Sequence, residues 1–293
     1  MDKLTRLILE DSVMVTACDT TELVACARDL HNTYPTSTAV LGRALTAGVM
    51  MGCRLKEKEQ RLTININGNG PAGTVIVTAG GDGTVKGCIG EPHVDIPAKA
   101  DGQLDVGGAV GRDGMLTVIR DEGMKEPYIG RTKLVTGEIG EDLAAYFLYS
   151  EQQPSIVYLS VWVDIDTTVL KAGGLIISPL PNASEETISA IEGRLAQIEN
   201  YALMIMNLTP EKAVEKIFKG MKTEALSTIE PKYLCDCSEE RLEQVVISLG
   251  EDQLRELISE GKDEEIVCRF CGKKYVFTTE RLKELLRKAT VHD

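Results

Sequence analysis

From residue 3 to residue 18 apolar and polar positions alternate around the turn signal Asp11-Ser12, which predicts an opening β-hairpin. The period then lengthens to that of a helix, over 21–31 and again over about 37–54. Tyr34-Pro35 separates the two, because a proline ends one helix and suits only the first turn of the next. Leu62, Ile64 and Ile66 then alternate with polar residues, as do Val75 and Val77 and again Val85. Glycine-rich turns at 68–73 and 80–83 divide these runs into an antiparallel meander. Strands at 115–120, 131–136, 156–164 and 168–178, with a helix near 140–150, complete an α+β domain over about 1–180. Gly173-Gly174 reads as a bulge or turn.

Beyond Pro181 the pattern is helical. Ser184 is an N-cap candidate, and Ile188, Ile191, Leu195, Ile198, Ala202 and Ile205 recur at spacings of three and four, giving one helix an apolar face. Thr209-Pro210 opens another, with Ala213, Val214, Ile217 and Phe218 as its stripe and Gly220 as its stop. These form a helical linker over 181–231. A third part, 232–293, follows Pro231. It contains a helix capped by Ser238 and ended at Gly250, a helix over 251–259, two short strands about a tight turn at 266–277, and a terminal helix from about Thr279.

Composition narrows the class. With 293 residues, 43% of them hydrophobic, the chain can bury a sizeable core in about two domains. No uncharged apolar stretch reaches the roughly 20 residues of a membrane span, and the N-terminus lacks a signal-peptide pattern, so a cytoplasmic protein without membrane contact is expected. A net charge of −13 repels polyanions, and 232–293 carries 14 acidic against 11 basic residues, so nucleic acid is excluded as a partner and proteins are favoured.

Eight cysteines change the picture further. Cys18, Cys26, Cys53 and Cys88 stand alone among apolar or small neighbours and read as buried structural thiols. The other four form Cys235-x-Cys237 and, after 30 residues, Cys268-x-x-Cys271, a pairing that a cytosolic chain uses for metal or redox chemistry. A C-x-x-C turn beside a glycine sets two thiolates on one side, and the distant C-x-C supplies the other corners of a tetrahedron, so one zinc per chain is expected on these four. In some sixty residues there is little core to build, and a structural zinc contributes on the order of 10 kcal/mol to folding such a unit. The metal also holds sulfurs about 3.8 Å apart in their nucleophilic form, so an oxidant that makes one a sulfenic acid leaves a thiolate beside it to close a disulfide, ejecting the zinc.

Two other chemistries are weaker. Gly68, Gly70 and Gly73 match G-x-G-x-x-G, yet strand-forming Thr74-Val75-Ile76-Val77 follows where a dinucleotide site needs a helix. A thiol oxidoreductase on Cys268 and Cys271 lacks a β-α-β frame, and His31, His93 and His292 have no catalytic context, so no enzymatic activity is expected.

Taken in order, Cys235-Asp-Cys237, Cys268-Arg-Phe-Cys271, the GNGPAG segment at 68–73, the YFLYSEQQPS run at 146–155 and the AGGL run at 172–175 resemble the redox-regulated thirty-three-kilodalton heat-shock chaperone family across essentially the whole chain. The resemblance implies an ATP-independent holdase, inactive when reduced and zinc-bound. It also implies activation by peroxide with unfolding stress, or by hypochlorous acid, through disulfides Cys235-Cys237 and Cys268-Cys271 and zinc release. Unfolded client proteins would be the partners and a homodimer the active form. The apolar faces between Pro181 and Gly220 must be covered in the inactive state, so the zinc unit is expected to act as a clamp on them.

Overall fold

The computed structural model describes residues 1–57 and 59–289 and divides into two compact units, Met1–Leu234 and a second from Cys235. Unit one opens with the expected hairpin, β1 (Lys3–Leu9) and β2 (Val13–Asp19), turned by Glu10 and Asp11 at positive φ. Helix α1 (Thr21–His31) follows, its first amides Glu22 N and Leu23 N donating to the buried Asp2 carboxylate at 2.9 and 2.7 Å. Helix α2 (Pro35–Gly52) starts two residues before the expected position, because Pro35 is its first residue rather than a spacer. It is apolar all round and buried almost throughout, as a helix packed on every side must be.

The meander is β3 (Arg61–Asn67), β4 (Val75–Gly80) and β5 (Thr84–Ile89), followed by a short helix α3 (Val106–Val110) that the residue pattern does not announce. Strands β6 (Met115–Asp121) and β7 (Tyr128–Lys133) come next. The latter lies three residues earlier than the expected 131–136 and stops at Lys133, since the buried Asp142 carboxylate gathers the amides of Val135, Thr136, Gly137 and Ile139 into a turn. The glycines at 68–73 make that turn's counterpart on the other side of α3. Gly70 N and Ala72 N donate to the carbonyls of Val110 and Ala109, and a Cβ on Gly68 or Gly70 would meet backbone atoms of residues 109–111 within 2.4 to 2.6 Å. The amides that a phosphate would need are thus partly engaged by α3.

Helix α4 (Gly140–Tyr149) leads to β8 (Ile156–Val163) and β9 (Val169–Pro179). Gly173 and Gly174 lie within β9 and form no bulge or turn. They pair with Asp19 and Cys18 of β2, and added Cβ atoms would strike the Cys18 and Tyr158 carbonyls and the ends of Ile205 and Met50. Close backbone approach, not a bend, is what these glycines serve.

The expected long helix after Ser184 is three short ones, α5 (Glu185–Glu192), α6 (Leu195–Glu199) and α7 (Tyr201–Met204). The breaks fall at Gly193-Arg194 and Asn200, where the amides of Arg194 and Asn200 turn to carbonyls three residues back, and Leu195 emerges exposed. Helix α8 (Pro210–Ile217) has Thr209 as its cap, and β10 (Thr223–Ile229) and β11 (Lys232–Tyr233) close the unit.

The strands form a five-stranded sheet, β10-β1-β2-β9-β8, and a six-stranded sheet, β11-β5-β4-β3-β6-β7. Their main core surrounds α2 and draws Leu4, Cys18 and Ile176 from the first sheet and Ile64, Val77 and Val118 from the second. Alternate residues of the five-stranded sheet, among them Leu7, Val15, Leu175 and Ile177, face the other way. There α5–α8 cover them with Ile191, Ile198, Tyr201, Ile205, Val214 and Phe218. Burial of a large aliphatic or aromatic side chain stabilises by about 1.5–3 kcal/mol, so these helices are held by the sheet rather than by their own length. Among the described residues no helix is long and apolar enough to cross a membrane.

Candidate metal centre

The second unit starts at the first cysteine of the pair. Helix α9 (Glu239–Ser248) is capped by Ser238, whose hydroxyl accepts from Arg241 N at 3.3 Å, and this cap sets Cys235 and Cys237 just ahead of a helix start. Helix α10 (Glu251–Glu260) ends at Gly261 in the left-handed region, and β12 (Glu264–Val267) and β13 (Lys274–Phe277) form a two-stranded hairpin. Helix α11 (Thr279–Ala289) follows. His292 lies outside the described residues.

Cys268 and Cys271 occupy the hairpin turn. Cys268 N donates to Lys273 O at 2.9 Å and Gly272 N to Cys268 O at 2.8 Å, with Gly272 at φ +70, a loop that folds both sulfurs to one side. All four sulfurs, of Cys235, Cys237, Cys268 and Cys271, lie within 4.8 Å of one another, the only grouping of metal-ligating side chains of this kind among the described residues. Two pairs run between the motifs, Cys235 Sγ to Cys268 Sγ at 3.7 Å and Cys237 Sγ to Cys271 Sγ at 3.4 Å. A zinc–sulfur bond of about 2.3 Å makes a tetrahedral edge of about 3.8 Å, so the donor set fits a four-thiolate zinc site with small adjustments.

The electrostatics differ among the four. Burial pushes the Cys235 thiol well up, and Cys271 is raised for the same reason. At Cys237 burial acts in the same direction but is outweighed by the Tyr275 hydroxyl and the neighbouring sulfurs, which bring the thiol down to about 7. Tyr275 Oη donates to Cys237 Sγ and to Cys237 O, both at 3.1 Å. Residue-type reasoning overlooks this tyrosine, although the alternation in β13 carries the signal, since Tyr275 and Phe277 are buried while Val276 between them is exposed. Also unforeseen is the buried Glu243 of α9, which accepts from Arg281 Nε at 2.9 Å and faces Lys288 at 3.5 Å, tying α9 to α11.

Around the sulfurs, among the described residues, is a small core of seven buried side chains, Val246, Leu254, Cys268, Tyr275, Phe277, Leu282 and Leu285, with partly buried neighbours such as Leu242 and Leu257 packed against it. Of the other cysteines Cys18, Cys53 and Cys88 are buried as expected, with burial raising the Cys18 and Cys53 thiols. Cys26 is not a core thiol. It lies on the exposed side of α1, because Leu23, Val24 and Ala27 take the inward face. His31 bonds to the Tyr233 hydroxyl at 3.1 Å and His93 stacks on Tyr34, both within unit one.

A model of the Hsp33 protein family matches residues 2–278. The 33 kDa chaperonin of Alkaliphilus oremlandii is 48% identical over 276 residues, covering 94% of this chain and 92% of that protein. That of Clostridium botulinum strain Langeland is 47% identical over 287 residues, 97% of each. The crystal structure of a 33 kDa chaperonin homologue from Thermotoga maritima superposes with a TM-score of 0.89 at 34% identity, covering 100% of this chain and 99% of that one.

Proposed function

The chain belongs to the Hsp33 family of chaperones, and from that premise we propose that it is a redox-regulated, ATP-independent holdase of the cytoplasm. It keeps unfolding and oxidatively damaged proteins from aggregating. In this reading it is inactive while Cys235, Cys237, Cys268 and Cys271 hold one zinc ion per chain, and active, as a homodimer, once disulfides form and the zinc leaves. The observation that carries it is the meeting of four sulfurs within 4.8 Å in a unit with so small a core.

Bound zinc would supply the charge that keeps all four sulfurs as thiolates. The chain's own part is to keep each sulfur beside another. One thiolate attacks peroxide, loses two electrons and becomes a sulfenic acid as hydroxide departs. A neighbouring thiolate then displaces the sulfenic hydroxyl, as water once protonated, to form the S–S bond. Two peroxides thus consume four thiolates. The pairing Cys235-Cys237 and Cys268-Cys271 rests on the family resemblance, since each sulfur has neighbours in both motifs. With its ligands gone, the second unit loses the interaction its core cannot replace. The division into 1–180, 181–231 and 232–293 is a division of roles: scaffold, releasable apolar segment and switch.

The test pairs chemistry with activity. Reduced protein binds one zinc, and all eight cysteines count as thiols once it is denatured with a chelator. After peroxide at raised temperature, zinc is released, four thiols disappear, and the protein suppresses light scattering by a thermally unfolding client. Equal suppression by the reduced zinc form, or oxidation and zinc loss without any gain, refutes the switch.

A further inference from the structure

The Ser150-Glu151-Gln152 segment, part of the 146–155 run that carries the family likeness, has no part in the zinc site, and its Glu151 forms one wall of a pocket in unit one. Glu151 accepts from the Tyr146 hydroxyl and faces Arg120 at 3.3 Å, and Ser150 Oγ lies 3.2 Å from the Tyr128 hydroxyl. Glu151 and Arg120, with Phe147, the end of α2 and Leu62 of β3, line a cavity of about 190 Å³, several times the roughly 10–15 Å³ that one water needs. Arg54, Lys56 and Arg120 line it against the carboxylates of Glu151 and Glu122.

Charge in this pocket is poorly matched. The Arg54 guanidinium makes one hydrogen bond, to the neutral Ser178 Oγ at 3.2 Å, and lies 5.1 Å from the Phe147 ring centroid. Among the described residues no carboxylate lies within ion-pair distance of it; burial lowers its pKa, and the Glu151 charge opposes this only in part. Arg120 gives one amine to Glu151 and stacks on Tyr128, but its Nε is buried with nothing to donate to. The last carbonyls of α2 are already taken by the amides of Cys53, Arg54 and Leu55. Three cationic side chains thus face two carboxylates in a partly desolvated pocket, which leaves one positive charge and the spare guanidinium donors for an entering anion. Phe147 and Leu62 add an apolar wall.

We propose that this pocket binds a small phosphate-class oxyanion, with Arg54 and Arg120 as its donors and Lys56 at its rim. Two sources share that chemistry, free phosphate and a phosphate monoester whose body rests on Phe147 and Leu62. Calorimetric titration of the full-length, reduced, zinc-loaded protein with inorganic phosphate and with phenyl phosphate, at constant ionic strength, tests it. Saturable binding of either is the expected result. Tighter binding of phenyl phosphate identifies a monoester site, and equal binding a free-phosphate site. Arg120→Gln weakens binding about tenfold or more, as the loss of a charge-assisted hydrogen bond requires. Lys56→Gln, an exposed change that leaves the fold intact, weakens it several-fold, while Lys222→Gln, paired with Asp11 elsewhere, leaves it unchanged. No saturable binding to the wild type, or equal binding by both pocket variants, overturns the assignment.

Discussion

At the scale of single residues, Tyr275 is the side chain whose role the geometry makes plainest. Its hydroxyl reaches both the sulfur and the carbonyl of Cys237, so it orients one of the four candidate ligands and offers a donor to its thiolate. Partners of this kind, one shell out from a metal, change affinity by about 10–100-fold. Tyr275→Phe keeps the ring between Cys237 and the hydrophobic core and removes only the hydroxyl. Its zinc affinity, read by competition with a chromogenic chelator, is expected to fall about tenfold while circular dichroism of the zinc-loaded form is unchanged. Unaltered affinity would leave Tyr275 a packing residue.

At the scale of elements, the covering of the five-stranded sheet by α5–α8 is what a holdase reading most depends on. Polar ties supplement the apolar contact there, among them Tyr201 Oη of α7 donating to Cys18 O of β2 at 3.0 Å and those of Glu211. Glu211 in the first turn of α8 accepts from Thr5 Oγ1 at 2.8 Å and pairs with Lys3, both on β1. Burial alone would raise its carboxyl, but these partners hold it down at about 2. A folded pKa below the unfolded one means that the unfolded chain binds more protons between about 2 and 4.5. This stabilisation is therefore complete above about pH 4.5 and is lost as pH falls toward 2. For a partly exposed pair, screening limits the effect to roughly 1 kcal/mol. Glu211→Gln is expected to lower the urea midpoint at pH 7, with the gap from wild type narrowing at pH 3. A gap independent of pH would show that the ion pair is not its source.

At the scale of the whole molecule, the compact boundary falls at Leu234, three residues beyond Pro231. Lys232 and Tyr233 pair with β5, and the Tyr233 hydroxyl donates to Gly87 O at 2.8 Å. A truncation that spares unit one therefore ends at Leu234. Its helices α5–α8 are each eight residues or fewer and marginal alone, so their docking is the step at which a clamp can act. The truncated protein is expected to fold and to suppress aggregation of a thermally unfolding test protein under reducing conditions, in which the full-length zinc form does not. A folded but inactive truncation would rule the clamp out.

Much of this was legible in the residue pattern because it is local. The opening hairpin, α1, the meander, the Ser238 and Thr209 caps and the strands flanking Cys268 and Cys271 depend on neighbours within a few positions. The four-cysteine set was legible for the same reason, since each half of the site is a short motif. Strand β10 was not, because its residues are mostly exposed and carry no apolar alternation; it exists through pairing with β1 some 220 residues earlier. The breaks within α5–α7 and the position of Gly173-Gly174 inside β9 likewise follow from the surface each must fit. Tyr275 against Cys237, and Arg54 and Arg120 lining one pocket, are meetings of elements remote in sequence. Periodicity records which side of an element faces inward, but only the packing of the elements decides what that side meets.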